Sequence, residues 1–217
     1  MRVVIAGGHG KIALLLEKKL AANGDVAVGI IRNVEQAADI REVSAEPAVL
    51  DLENADLDEV VQVLSGADAA VFAAGAGPGS GTARKDTVDR AAAVLFAEAA
   101  ERAGVLRFVQ ISAMGTDGPI DPEAVGEVFA AYLHAKAAAE ADLRARKLDW
   151  TILRPGRLTD DPGTGSVRLG DSVPRGDVPR EDVAAVVAEL LSDTVATRRT
   201  LELTGGNTPV QEAVARV

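Results

Sequence analysis

From residue 3 to residue 203, short runs of apolar, mostly β-branched residues alternate with longer stretches rich in Ala, Leu and Glu. No other feature constrains the fold of this chain as much. The short runs fall at 3–6, 26–31, 47–50, 69–73, 107–111, 150–153 and 200–203. Each is apolar almost throughout, as strands buried on both faces require. Helix-like segments lie between them at 11–22, 34–42, 57–65, 86–103, 123–147 and 180–191. Strands and helices in strict alternation imply right-handed crossovers and a parallel sheet covered on both faces. The expected fold is α/β, a doubly wound parallel sheet of order 3-2-1-4-5-6-7 in a single domain over 1–217. Ligands then belong at the carboxyl edge, where the strand order reverses.

Two stretches break the alternation. Residues 75–81 read Gly-Ala-Gly-Pro-Gly-Ser-Gly directly after the fourth strand, and 157–178 is rich in Gly, Pro, Asp and Ser without clear periodicity. Both are expected as loops at the carboxyl edge, together with 115–122. The substrate-side wall would then run through 75–85, 115–122 and 157–178, or these are simply solvated connections.

Composition removes several function classes. The 23 Lys and Arg stand against 33 Asp and Glu, a net charge of −10, which argues against a nucleic-acid binder that works by neutralising phosphates. No apolar run approaches the roughly 20 residues of a membrane-spanning helix, so no membrane partner is expected. The amino terminus becomes glycine-rich after 3–6, too soon for a signal-peptide core, and a cytoplasmic location is the expectation. Without cysteine there is no disulfide framework and no thiol nucleophile; with only two histidines, no metal site is expected.

The strongest local signal is Gly7-Gly8-His9-Gly10-Lys11-Ile12-Ala13, a G-x-x-G-x-x-A pattern between the first strand and an amphipathic helix. Gly7 permits a tight turn, Gly10 removes a side chain where a diphosphate approaches the backbone, and Ala13 allows close helix–strand packing. The helix start offers free N–H groups at Gly10, Lys11 and Ile12 and the positive end of its dipole. The expectation is the dinucleotide cradle of a Rossmann fold, against the alternative of a simple glycine-rich turn. His9 is either a phosphate donor or an exposed loop residue.

At the end of the second strand, Gly29-Ile30-Ile31-Arg32-Asn33 carries no acid to receive a ribose 2′-hydroxyl. Arg32 would instead attract a 2′-phosphate, with Asn33 beside it, so NADP is expected over NAD. Asp51 either accepts from the adenine amino group or serves as a helix-cap-like loop residue. Leu52 would pack on the adenine ring, and Ala73, Ala74 and Gly75 would run beneath the adenosine ribose.

Gly7, Gly10 and Ala13, then Ala74-Gly75, Tyr132-Leu-His-Ala-Lys136 and Leu153-Arg154-Pro155-Gly156, in that order, resemble the short-chain dehydrogenase/reductase superfamily. The likeness is to its atypical branch of single-domain NAD(P)H-binding proteins, often labelled epimerases or dehydratases, and it spans nearly the whole chain. It implies Tyr132, the only tyrosine, as proton donor or acceptor, its pKa lowered by the ammonium of Lys136 one helical turn away. Lys136 would also hold the nicotinamide ribose. Asp89 matches the position where the branch often carries Asp, or else is an exposed helix charge. Pro155 would cover the carboxamide side of the nicotinamide, whereas Arg154 either helps there or forms a structural ion pair.

One departure stands out. The family's carbonyl-polarising serine is the second of a Ser-Ser pair, and here Ser112 is followed by Ala113. Successive strand residues face opposite ways, so Ser112 is expected to aim away from the nicotinamide. Two functions follow. One is an NADP(H)-dependent oxidoreductase or epimerase on a small carbonyl or sugar-like substrate, as monomer or homodimer. The other is a non-catalytic NADP(H)-binding redox sensor or scaffold.

Overall fold

A computed structural model describes residues 1–77, 79–192 and 195–217; Pro78 of the 75–81 loop lies outside them. The first half alternates as the apolar periodicity requires: β1 (Arg2–Ala6), α1 (Lys11–Ala22), β2 (Val26–Ile31), α2 (Ala37–Glu42), β3 (Glu46–Val49), α3 (Leu57–Leu64) and β4 (Ala69–Phe72). Capping sets some boundaries sharply. Asp56 accepts from the Glu59 amide, and the Glu59 side chain accepts from the Asp56 amide, both at 2.9 Å, which starts α3.

After β4 the chain enters α4 (Thr82–Arg84), continues through a π-helical stretch (Lys85–Ala92) and becomes α5 (Ala93–Ala103). Then follow β5 (Arg107–Ile111), α6 (Pro122–Val125), α7 (Glu127–Ala145) and β6 (Asp149–Pro155). The helix expected over 123–147 is thus divided at Gly126, and helical structure begins inside the expected 75–85 loop. Last come β7 (Arg157–Thr159), β8 (Ser166–Gly170), β9 (Asp177–Pro179), α8 (Arg180–Ser192), β10 (Arg199–Gly205), β11 (Thr208–Pro209) and α9 (Val210–Ala215).

The main sheet runs β11-β8-β10-β6-β5-β4-β1-β2-β3. The seven strands read from the sequence lie in the expected order and are parallel throughout. The correction is at one edge. Residues 157–178, expected as an irregular loop, supply β8, antiparallel to β10, and help form a separate β7–β9 pair. The buried carboxylate of Asp182 orders this segment by accepting from the Thr164 and Gly165 amides at 3.0 and 2.8 Å. No strand-like periodicity precedes that long-range contact.

Alternate residues of each strand feed two cores. Val3 and Ile5 of β1 pack with α1 and α8, whereas Val4 and Ala6 face the side where Phe72, Phe96 and Phe108 cluster at ring separations of 6.1 and 5.7 Å. Trp150 belongs to this second core. With both faces covered, the carboxyl ends of the strands remain open for ligands.

Candidate functional site

The glycine loop is built by backbone contact. Gly7 has φ +80°, and a Cβ there would lie 2.7 Å from Ala74 Cα. Gly10 N–H donates to the Gly7 carbonyl at 2.8 Å, closing the turn, and Gly8 N–H donates to the Ile30 carbonyl at 2.9 Å. A Cβ on Gly8 would sit 2.6 Å from Gly29 Cα, so two glycines far apart in sequence share one close approach between backbones. No side chain caps α1, and its first turn holds no acid. The amides at its start are therefore left for an external acceptor, as a diphosphate cradle requires.

Under this loop lies a residue that the sequence reading missed. Glu17 is fully buried on α1, and neither carboxyl oxygen has a hydrogen-bond partner among the described residues. Burial pushes its pKa up to about 8, so the group is protonated at neutral pH. It occupies the space that glycine leaves at position 29, where a Cβ would be 2.5 Å from Oε1. Its position beside Ala13, Leu16 and Leu20 on the apolar face of α1 was the available signal.

From the loop, a groove extends over the ends of β2 and β3, lined by Gly7, His9, Gly10, Arg32, Asp51, Leu52, Ala73, Ala74, Gly75 and Arg84. Arg32 is more than half exposed and lies 3.7 Å from Glu53, which also takes an ion pair from Arg84 at 2.5 Å and a hydrogen bond from Thr87 at 2.6 Å. The Arg84 hydrogen bond, with Thr87, holds the Glu53 carboxyl below its usual range. This corner therefore carries two guanidinium groups around an acid; Arg84 and Glu53 come from segments remote from the strand-end pattern.

Several expected contacts resolve differently. Asn33 does not line the groove: its side chain accepts from the Glu35 amide at 3.0 Å and caps the following turn. Asp51 lines the groove, but its oxygens accept from the Glu53 amide and the Asn54 side chain at 3.1 and 2.7 Å, the loop-cap alternative. Lys11 points to Asp160 at 2.6 Å, and Asp160 is also paired with Arg180 at 2.6 Å. His9 is held through both ring nitrogens, by Asp39 at 2.6 Å and Gln36 at 3.1 Å. Pro155, buried at the end of β6, lines neither cavity; its carbonyl accepts from Met114 N–H at 3.2 Å.

A second cavity adjoins the groove across Ala73, Ala74, Gly75 and Ala76, which line both. Ile12, Lys85, Asp89, Ile111, Ser112, Tyr132 and Lys136 face it. Asp89 is fully buried and lies 3.3 Å from Lys136 Nζ, and its other oxygen accepts from the Ala76 amide at 3.2 Å. Lys136 also donates to the Ile111 and Ala74 carbonyls at 3.2 and 3.4 Å. Burial lowers the lysine's pKa while Asp89 pulls it back up.

Tyr132 corrects the expected direction. Its phenol is pushed above the usual tyrosine range, first by burial and then by the Asp89 carboxylate. Lys136 Nζ lies over the ring, 5.8 Å from the centroid, and does not outweigh these effects. Among the described residues the Tyr132 hydroxyl has no hydrogen-bond partner, so it is a neutral donor open to the cavity.

Ser112 belongs to a different network. Its hydroxyl donates to the fully buried Glu140 at 2.5 Å, and Glu140 also receives Thr116, Arg144 and Arg154. Arg154 reaches on to Asp117. The structural ion-pair alternative is thus the one that Arg154 adopts. Ser112 was expected to aim away, but it lines the same cavity as Tyr132, because Glu140 on α7, one turn beyond Lys136, draws its hydroxyl toward that helix and engages it.

These features define a class of protein: a Rossmann domain whose glycine loop, uncapped helix and open strand edge fit a nicotinamide dinucleotide. Residues 7–194 match the family described as NAD(P)H-binding, and the chain belongs to that family. It is 34% identical, over 100% of both chains, to a Bacillus subtilis protein described as an uncharacterized sugar epimerase. A UPF0659 protein of Schizosaccharomyces pombe is 33% identical over 98% of this chain and 93% of its own. Among solved structures, a Bacillus halodurans protein provisionally described as an NAD-dependent epimerase/dehydratase superposes with a TM-score of 0.91 and 34% identity over 100% of both chains. A Lactococcus lactis oxidoreductase gives a TM-score of 0.86 and 27% identity over 100% of this chain and 96% of that one.

Proposed function

We propose that the protein is an NADP(H)-dependent reductase of a small carbonyl compound. The observation that carries this reading is the convergence of Tyr132, Lys136 and Asp89 in a cavity joined to the glycine groove along Ala73–Ala76. When bound, the nicotinamide supplies or accepts a hydride. The chain's part is to orient and to move a proton. Lys136, fixed by Asp89 and two carbonyls, is placed to hold a ribose hydroxyl. Tyr132, kept protonated by burial, is suited to donate its phenolic proton to a carbonyl oxygen as charge develops there. Raised phenol acidity would have favoured oxidation; the neutral donor favours reduction.

The two guanidinium groups at the adenosine end support NADP over NAD, because a 2′-phosphate gains from both Arg32 and Arg84. A cytoplasmic location remains part of the proposal. A second reading, a non-catalytic NADP(H) sensor, draws on Ser112: its hydroxyl proton is spent on Glu140 rather than offered to a substrate carbonyl. One assay separates the two. NADPH oxidation over a panel of aldehydes, quinones and keto-sugars is expected to fall about 100-fold or more in Tyr132→Phe. Equal background rates in wild type and variant, with NADPH still bound, would establish the sensor instead.

A further inference from the structure

We infer that the second cavity recognises an apolar, preferably aromatic, body carrying an anionic group, and that Lys85 is the residue that selects the anion. This rests on the reading of that cavity as the substrate side of a dinucleotide enzyme, and it departs from the sugar that one relative's description names.

Lys85 sits in the π-helical stretch and is only 8% exposed. Its Nζ donates to the Gly77 carbonyl at 3.0 Å and lies 5.3 Å from the Tyr132 ring centroid. Among the described residues, no carboxylate stands within ion-pair distance of it. Lys136, equally buried, has Asp89 at 3.3 Å. A buried ammonium with one carbonyl partner is costly and has two further donors to offer. An anion entering the cavity supplies the missing countercharge.

The walls specify the rest of the ligand. Ile12, Ile111 and Leu158 face the cavity from one side, and Val125, Val128 and Phe129 from α6 and α7 face it from the other. These last three are 42%, 48% and 49% exposed, a contiguous apolar lip that a ligand would cover. Phe129 stacks on Tyr132 at 5.7 Å and 29°, extending a flat aromatic surface next to the proton donor. A sugar needs many free polar partners, yet those present are largely engaged: Ser112 with Glu140, Ser80 with the Gly77 carbonyl, and Arg180 with Asp160. Glu127, exposed at the start of α7, is the one rim acid among the described lining residues.

The test is calorimetry on NADPH-loaded protein with four probes: 2-naphthoate, 2-naphthylmethanol, glucose 6-phosphate and glucose. The expected order is naphthoate first, about tenfold tighter than naphthylmethanol, with neither sugar detectable at millimolar concentration. Lys85→Gln keeps an N–H for the Gly77 carbonyl but removes the charge, and the preference for naphthoate over naphthylmethanol should fall to near unity. Phe129→Ser, at a half-exposed position, should weaken both naphthyl probes about tenfold. Tighter binding of glucose 6-phosphate than of naphthoate, or an unchanged preference in Lys85→Gln, overturns the inference. So does a Lys85→Gln protein that loses NADPH affinity, since Lys85 would then serve the cofactor. If wild type takes up no NADPH, the reductase reading fails, and the same four probes on the unloaded protein still judge the role of Lys85.

Discussion

The two halves of the cleft are made of different materials. The adenosine half is mostly backbone: glycines packed on strand ends, open helix amides, and two arginines at the far corner. The other half is mostly side chain: Lys85, Asp89, Tyr132 and Lys136, gathered from two helices beneath an apolar lip. A backbone site binds what every dinucleotide shares, so it can be common to many chemistries. In the proposed reductase, specificity and catalysis belong to the half assembled from side chains.

The sharpest challenge to this division is Gly8→Ala. Its Cβ would press on the Gly29 backbone, which cannot rotate away. NADPH affinity is expected to fall about 100-fold, with about 1–3 kcal/mol lost in stability, measured by calorimetry and denaturant titration. If affinity survived, the glycine contact would be a packing feature alone.

Next in size is Arg32→Glu, which places an acid where the 2′-phosphate is expected and weakens the hold on Glu53. NADPH should bind about tenfold more weakly while NADH changes little. A variant that still prefers NADPH would move selectivity to Arg84.

Glu17→Gln tests what lies under the loop. The native carboxyl titrates at about 8 in the folded chain and near its ordinary value when unfolded. Its contribution is therefore complete below the unfolded pKa and is lost as pH rises toward 8, at most about 1.4 kcal/mol per pH unit. Thermal denaturation of Glu17→Gln should show a flatter stability profile between pH 5 and 8 than wild type, with the variant ahead at pH 8. Parallel profiles would mean that the carboxylate is stabilised by some other route.

The smallest effect is expected from Ser112→Ala. Losing the hydrogen bond to Glu140 should cost about 1 kcal/mol and change kcat/KM by less than about twofold. A tenfold loss of turnover would return Ser112 to the reacting carbonyl and blur the contrast between the two halves.

What the sequence made legible follows the same division. Strand order and the glycine loop were readable because both are local: apolar runs set strands, and Gly7 and Gly10 sit in one uninterrupted motif. Tyr132 and Lys136 were readable because one helical turn separates them. Lys85 was not, since its burial depends on where the π-helical stretch sets it against α7. Glu53 and Arg84 meet Arg32 only through the folded edge of the sheet. Residues 157–178 looked irregular because β8 gains its partner from β10, and Asp182 secures the segment from a helix further along. Asn33 and Pro155 lie off both cavities, Asn33 with its side chain capping the next turn and Pro155 buried at the end of β6.

The wide helical turn at Lys85–Ala92 carries one last consequence. Such a turn hydrogen-bonds less well than an ordinary helix and sets the residues before it out of phase with those after it. A chain shortened by one residue there would keep its sheet and both glycine-lined edges, yet swing Lys85 by about 100° around the helix axis. Insertion or deletion at this single place would thus re-key the side-chain cavity while the glycine groove stayed as it was.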